Sequence, residues 1–196
     1  MKYSFFALIS RLKNINRWTL MRNTYIENVQ EHSHNVAVIA HALAVIRRDI
    51  FKLEANPERE AVIALFHDAS EIFTGDLPTP IKYFDPDIMS AYKRVESVAS
   101  VKLLSALPEE LTASYSGLLS DSINKDASKI VKAADKLAAY IKCLEELKSG
   151  NKEFELAADQ SLTKLKALNM PEVDYFIEHF IPAFTLTLDE LNFRAH

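Results

Sequence analysis

Apolar residues recur at intervals of three and four along two long stretches of the chain. Between Glu31 and about Arg48 they continue the face that begins at His32, with Val36, Ile39, Leu43 and Ile46. Between about Asp126 and Lys148 the same spacing places Ile130, Ala134, Leu137, Ile141 and Leu144 on one face. A period of 3.6 residues is typical of an amphipathic helix, so both stretches are predicted to be long helices with one buried face.

Shorter amphipathic stretches predict that most of the remaining chain is also helical. The expected helices cover residues 3–13, Asn56 and Pro57 to about Phe73, Pro86 to Leu103, a piece starting at Pro108, and residues 152–168 and 171–184. In the last of these, Phe180 is expected to face inward. The segment Gly75–Pro80 holds two prolines and is predicted to be non-helical. Since no linker or internal repeat is visible, the pattern predicts an all-α protein with a single domain over residues 1–196.

Composition narrows the classes of function. The chain contains three glycines, fewer than a Rossmann sheet or a phosphate-cradling loop usually needs. The net charge of −4 provides no global basic field, so a polymeric nucleic acid is not expected as a partner. The apolar stretch Val36–Ile46 is too short to span a bilayer, which predicts no membrane partner. The single cysteine, Cys143, is compatible with a reducing cytoplasm, the predicted location.

Four polar residues lie within the apolar pattern and carry the candidate chemistry. His67 and Asp68 lie in the third predicted helix, within the run Ala-Leu-Phe-His-Asp-Ala-Ser-Glu. His32 begins the apolar face of the second helix, and Asp135 interrupts a run of alanines. Desolvating such groups without a partner costs several kcal/mol, and a metal ion is one natural partner. Two imidazoles and two carboxylates suit Mn, Fe, Co, Ni or Zn rather than Ca.

Simpler interpretations exist for each of these residues taken alone. A lone histidine on an apolar face is more often a core residue than a metal ligand. Asp135 is three residues from Lys132, a spacing that allows a surface ion pair on one helix. A His-Asp dipeptide occurs by chance in many chains. Periodicity therefore supports burial of these residues but does not by itself assemble them into one site.

The order His, His-Asp and Asp on separate helices resembles that of the HD-domain metal-dependent phosphohydrolases. The similarity extends over nearly the whole chain and is closest to the bacterial 5'-deoxynucleotidase branch. The segments that carry it are Phe5-Phe6-Ala7, Asn16-Arg17-Trp18, Glu27-Asn28-Val29, Glu31-His32-Ser33, His67-Asp68-Ala69-Ser70-Glu71, Thr74-Gly75-Asp76-Leu77-Pro78-Thr79-Pro80, Tyr140-Ile141-Lys142-Cys143-Leu144-Glu145 and Asp174-Tyr175-Phe176.

This resemblance implies a fold, a cofactor and an assembly. The fold is an HD-domain helical bundle. The cofactor is one divalent transition metal, such as Co, Mn or Zn, and the assembly is a homodimer. The implied metal ligands are His32, His67, Asp68 and Asp135.

The resemblance also implies hydrolysis of a deoxyribonucleoside 5'-monophosphate. Glu71 lies four residues after His67, on the same predicted helix face, and is expected to orient or deprotonate the attacking water. Arg17 is expected to hold the phosphate, since a guanidinium bridges two oxygens. Asp76 is expected to bind the sugar 3'-hydroxyl or to assist the leaving group. The implied substrate contacts are Arg17, Trp18, His32, Asp68, Asp76, Leu77, Pro78, Thr79 and Asp135.

Three alternatives remain open at this point. The first is another HD-type phosphohydrolase, acting on a cyclic nucleotide or an alarmone, against which the matches at Arg17-Trp18 and Asp76–Pro80 argue. The second is a non-catalytic metal-binding regulatory domain, although pure metal binding would not require Arg17, Glu71 or Asp76. The third is a helical bundle whose polar residues are satisfied within the core. For Trp18, plain core packing and contact with the sugar or base are equally compatible with the sequence.

Overall fold

The regular structure of the chain is built from helices. A computed structural model describes residues 2–82, 84–119 and 125–193. Within these ranges no residue forms a strand, and one pair, Asn16 and Asn28, makes an isolated antiparallel bridge. The prediction of an all-α protein is thereby confirmed. No helix in the described ranges has the length and apolar character needed to cross a membrane.

Eleven α-helices follow one another in the described residues, joined by short 3-10 and π-helical segments. The α-helices are α1 (Phe5–Ile9), α2 (Val29–Val45), α3 (Pro57–Phe66), α4 (Glu71–Thr74), α5 (Thr79–Lys82), α6 (Pro86–Leu104), α7 (Glu109–Ser116), α8 (Lys125–Lys148), α9 (Glu155–Lys166), α10 (Pro171–His179) and α11 (Leu188–Phe193). The 3-10 segments are Leu12–Asn14, Lys152–Phe154 and Ile181–Thr185, and a π-helical segment, Ile46–Ile50, extends α2.

Polar residues fix where the helices that carry the site begin. The side chain of Asn28 accepts a hydrogen bond from the backbone of Glu31, whose own side chain bonds back to Asn28, and this capping box starts α2. Asn56 caps α3 ahead of Pro57, as the sequence predicts. These caps satisfy backbone donors that have no partner within the helix.

The main core lies where α2 packs against α3 and α8. Its centre holds Val36, Leu43 and Leu137, which are fully buried, together with Ala40 and Ala134. A second, smaller cluster joins α1 to α6 and is formed by Phe5, Ala69, Leu103 and Leu107. The chain leaves the first cluster at Ala64 and enters the second at Ala69, so His67 and Asp68 lie at the junction between the two.

Helix α3 ends earlier than the sequence predicts. It stops at Phe66 rather than at about Phe73, and residues 67–70 form a turn before α4. The imidazole Nδ1 of His67 lies 2.6 Å from the carbonyl oxygen of Ala64, an acceptor that would otherwise continue the helical pattern. The next backbone bonds span three residues instead of four, such as Ala69 N to the Phe66 oxygen. The prediction that His67 and Asp68 lie within α3 is therefore wrong.

Two smaller expectations also differ from the structure. Phe180, expected to face inward, lies between α10 and the following 3-10 segment and is 46% exposed. Thr79 and Pro80, expected in a non-helical segment, begin the short helix α5. Proline is tolerated in a first helical turn because its missing N–H would have no partner there.

A buried glutamate on α3 makes stability depend on pH. The Oε1 atom of Glu60 accepts from the Asn56 backbone N–H at 3.3 Å, and Glu172 lies nearby, paired with Arg47 at 2.8 Å. Burial, reinforced by the charge of Glu172, raises the pKa of Glu60 from 4.5 to about 7. Between these two values the unfolded chain ionises the carboxyl while the folded protein keeps its proton, so folding stability falls as pH rises through this window.

The substitution Glu60→Gln tests this dependence, because glutamine cannot ionise. We expect it to raise Tm by about 2–4 °C at pH 8, an effect of about 1 kcal/mol, and to leave Tm nearly unchanged at pH 4.5. Circular dichroism melts at both pH values measure the difference. An equal shift at both would show that ionisation of Glu60 is not its cause.

Candidate functional site

Four residues from three parts of the chain meet between α2, α8 and the turn that follows α3. One ligand atom from each of His32, His67 and Asp135 lies within 4.8 Å of the others. The Nε2 atom of His32 lies 3.0 Å from Asp135 Oδ1. Asp68 Oδ2 lies 3.1 Å from His67 Nε2 and 3.9 Å from His32 Nε2. The structure therefore brings together all four residues that the sequence suggests as metal ligands.

The donor atoms fit a divalent transition metal. Because the carbonyl oxygen of Ala64 can only accept, Nδ1 of His67 carries a proton, and in the neutral ring the lone pair is on Nε2. That Nε2 atom is buried and makes no well-aligned hydrogen bond among the described residues, although Asp68 Oδ2, another proposed ligand, lies 3.1 Å away. The two imidazoles and the Asp135 carboxylate, with Asp68 beside both histidines, form the mixed nitrogen and oxygen set that such metals bind.

The electrostatics of this cluster also favour a cation. Burial alone would raise the pKa of Asp68, but the charge of His67 and of other nearby cations holds that pKa well below its usual range. Burial has the same effect on Asp135, and the hydrogen bond and charge of His32 outweigh it and lower the pKa to about 2. In His67, the charges of Asp68 and Asp135 overcome burial and raise the pKa to about 9. The two carboxylates thus remain ionised and draw positive charge to this position.

Arg17 lies beside the cluster although it comes from the loop before α2. Its Nη1 atom is 3.4 Å from Asp68 Oδ2, and its Nε donates to Glu27 Oε2 at 3.2 Å. Burial works against its charge, but neighbouring carboxylates, Asp68 first among them, raise the pKa of the guanidinium. The structure therefore holds a permanent cation next to the candidate ligands, where it is placed to bind an anion.

Trp18 follows Arg17 in a conformation that few tryptophans adopt. Its φ of 57° lies in the left-handed region, which is unfavourable for a bulky side chain. The ring packs on Phe154 with a centroid distance of 5.3 Å, and the indole Nε1 donates to Glu27 Oε2 at 3.2 Å. The side chain is half-buried, so it packs on the core and also keeps an accessible part.

Glu71 starts α4 and does not share a helix with His67, contrary to the sequence-based expectation. The turn between them nevertheless keeps Glu71 close to Asp68, since the Glu71 N–H donates to the Asp68 carbonyl at 3.0 Å. The Oε2 atom of Glu71 is buried without a hydrogen-bond partner in the described part of the chain. Burial, followed by the charges of Asp68 and Asp76, raises the pKa of Glu71 to about 10. Its carboxyl group therefore lies within electrostatic reach of the ligand cluster.

The loop after α4 brings Asp76 to the same region. Gly75, with φ of 70°, turns the chain out of α4, and its carbonyl oxygen accepts from Tyr92 of α6 at 3.3 Å. Burial raises the pKa of Asp76, while the charge of Arg17 acts in the opposite direction. Leu77 and Pro78 are half-buried beside it, and the side chain of Thr79 lies outside the described part of the structure.

Comparison with known proteins identifies the family. The sequence profile described as "5'-deoxynucleotidase YfbR-like" matches residues 4–184. The chain belongs to the YfbR-like family. A 5'-deoxynucleotidase of Cronobacter sakazakii is 51% identical over 189 residues, which cover 96% of this chain and 95% of that protein. The resemblance seen in the sequence is thereby confirmed.

Solved structures share the fold of this YfbR-like chain. An HD-domain phosphohydrolase from Listeria innocua superposes with a TM-score of 0.78 at 28% identity, covering 92% of this chain and 88% of that one. A Magnetospirillum magnetotacticum protein described as a "predicted metal-dependent phosphohydrolase" gives a TM-score of 0.65 at 26% identity, covering 97% and 91%. The all-α architecture is therefore the HD-domain helical bundle, and the YfbR-like chain is a phosphohydrolase.

One buried residue of the YfbR-like site received no role from sequence reasoning. Glu27 is 6% exposed and accepts hydrogen bonds from both Arg17 and Trp18 through the same oxygen. The signal available in the sequence was its place in the matching segment Glu27-Asn28-Val29, immediately before the cap of α2. A charged residue ahead of a helix cap is usually solvated, so pattern alone did not distinguish it.

Proposed function

We propose that the protein hydrolyses deoxyribonucleoside 5'-monophosphates to a deoxynucleoside and phosphate, as a metal-dependent phosphomonoesterase. The observation that carries this proposal is the Arg17 guanidinium 3.4 Å from Asp68, because it places a phosphate-binding group directly beside the candidate metal ligands. The relative from Cronobacter sakazakii, half of whose residues are identical, is named for the same activity.

The proposed metal site consists of His32, His67, Asp68 and Asp135, and holds one divalent transition metal such as Co, Mn or Zn. The buried His67 Nε2 atom supports this assignment, because it makes no well-aligned hydrogen bond and the carboxylate beside it is another proposed ligand. When bound, such an ion supplies Lewis acidity toward a phosphoryl oxygen and lowers the pKa of water. The related protein from Magnetospirillum magnetotacticum is described as metal-dependent.

In the proposed mechanism, Arg17 acts on the phosphate group and Glu71 acts on the attacking water. The Arg17 guanidinium binds two phosphate oxygens and fixes the phosphorus relative to the ligand cluster. The Glu71 carboxyl orients the attacking water or takes its proton. Its high pKa arises partly from the nearby carboxylates Asp68 and Asp76, so positive charge in the cluster favours the ionised form that a base requires.

Asp76 is proposed to assist the leaving group. As water attacks phosphorus and the bond to the sugar 5'-oxygen breaks, that oxygen needs a proton. Burial raises the pKa of Asp76, which is the direction that favours a general acid.

The remaining contacts are assigned to the nucleoside. Trp18, Leu77, Pro78 and Thr79 are proposed to surround the sugar and base, while His32, Asp68 and Asp135 reach the phosphate end. We propose that a crowded wall at the sugar C2 position gives the preference for deoxyribose. The active assembly is proposed to be a homodimer that works in the cytoplasm.

A substrate panel tests the function. Metal-free protein resupplied with Mn, Co, Zn or Mg is expected to release phosphate from dAMP and dTMP, and not from 3'-dAMP. For AMP we expect kcat/KM to be lower by about ten- to hundredfold, the usual discrimination for one small group in a pocket. Phosphate release is followed colorimetrically.

Two results of this panel would contradict the proposal in different ways. Equal turnover of AMP and dAMP would remove the deoxyribose preference. Stoichiometric metal binding without release from any 5'-nucleotide would leave the metal site standing and remove the nucleotidase activity.

A further inference from the structure

Glu27 links the loop that carries Arg17 to the start of α2. Its Oε2 atom accepts from Arg17 Nε and from Trp18 Nε1, each at 3.2 Å. Its backbone carbonyl accepts from the Arg17 N–H at 2.9 Å. Both the main chain and the side chain of Glu27 thus fix where the guanidinium and the indole lie.

The second carboxylate oxygen faces a candidate metal ligand. Glu27 Oε1 lies 3.9 Å from His32 Nδ1, an atom that is buried and has no hydrogen-bond partner among the described residues. On the other side of the same ring, His32 Nε2 lies 3.0 Å from Asp135 Oδ1. When an imidazole binds a cation through Nε2, its proton is on Nδ1, and that N–H needs an acceptor. At 3.9 Å, Glu27 Oε1 is too far for a hydrogen bond in this structure, but it is the carboxylate oxygen that faces this N–H.

The burial of Glu27 is not needed to anchor the loop, because another buried group already anchors it. Glu146 of α8 accepts from the Thr24 backbone N–H at 2.9 Å and from the Thr24 hydroxyl at 2.6 Å. Lys142 donates to the Tyr25 carbonyl and pairs with Glu146. The loop is therefore held to α8 three residues before Glu27. A second buried carboxylate is costly to desolvate, which points to a separate use.

We infer that Glu27 is a positioning residue that couples phosphate binding to metal binding. One carboxylate orients Arg17 and Trp18 through Oε2 and fixes the tautomer and orientation of His32 through Oε1. The role of Glu27 toward Arg17 rests on the proposed function, whereas its role toward His32 requires only that the cluster binds a metal.

The test compares Glu27→Gln with the wild-type full-length protein. Glutamine keeps the size of the side chain but loses the charge, and with its oxygen toward Arg17 it presents an amide N–H₂ to His32 Nδ1. We expect the Kd for Co²⁺, measured by calorimetric titration of metal-free protein, to rise about ten- to hundredfold. At saturating metal, KM for dAMP is expected to rise about tenfold while kcat changes less, since Arg17 is displaced but still present.

Two further variants complete the comparison. Glu27→Asp keeps the charge on a shorter side chain and is expected to give a Kd between those of Glu27→Gln and the wild type. Glu145→Gln, an exposed carboxylate on the neighbouring face of α8, is the matched control and is expected to change neither Kd nor KM. Thermal melts of each variant show whether it is folded.

The outcomes separate cleanly. An unchanged Co²⁺ Kd in Glu27→Gln overturns the inference, whether or not KM rises, because a rise in KM alone means that Glu27 braces Arg17 without reaching His32. If Glu27→Gln does not fold, Glu27→Asp decides: a raised Kd supports the coupling and a wild-type Kd overturns it. Failure of the wild-type protein to act on dAMP would reject the proposed function, while the comparison of Co²⁺ Kd values would still test the role of Glu27 toward His32.

Discussion

Replacement of Asp68 by asparagine is expected to lower kcat/KM for dAMP at least about a thousandfold, because it removes several kcal/mol of charge stabilisation. A single oxygen of Asp68 lies 3.1 Å from His67 Nε2, 3.9 Å from His32 Nε2 and 3.4 Å from Arg17 Nη1. Asparagine has nearly the same shape, but its neutral amide is a poor metal ligand and no longer pairs with the guanidinium. The substitution therefore acts on the proposed metal and phosphate sites together.

Metal content and turnover of Asp68→Asn are measured side by side. After loading with Co²⁺ and removal of free ion, elemental analysis is expected to find substoichiometric metal in Asp68→Asn and one equivalent in the wild type. The control is Glu58→Gln, an exposed carboxylate in the first turn of α3, which is expected to retain both metal and activity. A fully loaded and fully active Asp68→Asn protein would exclude Asp68 as a ligand.

The second large effect is expected for Glu71→Gln, whose kcat should fall about 10²- to 10⁴-fold, the usual contribution of a general base. The buried Oε2 atom of Glu71 has no hydrogen-bond partner in the described structure, so no protein group occupies its capacity to accept a proton. Glutamine preserves the size of the side chain and cannot take a proton. Since Glu71 is not a proposed ligand, the Kd for Co²⁺ should stay within about twofold of the wild-type value.

Single-turnover measurements at saturating Co²⁺ and dAMP isolate the step that Glu71 affects. Binding of dAMP should be retained, because Arg17 and the ligand cluster are intact in Glu71→Gln. The same Glu58→Gln variant serves as the control for replacing an exposed glutamate by glutamine outside the site. Near-wild-type turnover by metal-loaded Glu71→Gln would show that Glu71 neither orients nor deprotonates the water.

The sequence predicted helices well where local signals decide them. The apolar periods of α2 and α8 place Val36, Leu43 and Leu137 in the core, and the Asn56-Pro57 pair starts α3 at the expected position. Such features depend on residues within one or two turns of each other. They are therefore visible without any knowledge of tertiary packing.

The end of α3 was not predictable in this way. The run from Ala64 to Glu71 contains no proline or glycine, so the helical pattern of the sequence continues to about Phe73. The imidazole of His67 captures the Ala64 carbonyl, and the side chain is held there by the groups that surround the cluster. Because those groups come from α2 and α8, they cannot be predicted from the sequence pattern around His67.

The candidate site likewise has features that the sequence predicts and features that depend on tertiary packing. Periodicity indicated that His32 and Asp135 are close to buried faces, but their 3.0 Å contact depends on how α2 packs on α8. The family resemblance supplied the set of four residues and the role of Arg17. It supplied no role for Glu27, whose contacts with Arg17 and His32 appear only when the loop is folded against the start of α2.

Helix α8 carries both a proposed metal ligand and the residues that anchor the loop before α2. Asp135 lies near its middle, and Lys142 and Glu146, which hold the loop before Glu27, follow two and three turns later. At about 1.5 Å per residue these points are separated by roughly 10–17 Å along a single hydrogen-bonded axis. When α8 tilts or shifts in thermal motion, the carboxylate and the loop with Arg17 are carried along together. The distance from Asp135 to the anchor of the loop that carries Arg17 is thus set by the rise of one helix and does not depend on how that helix packs against its neighbours.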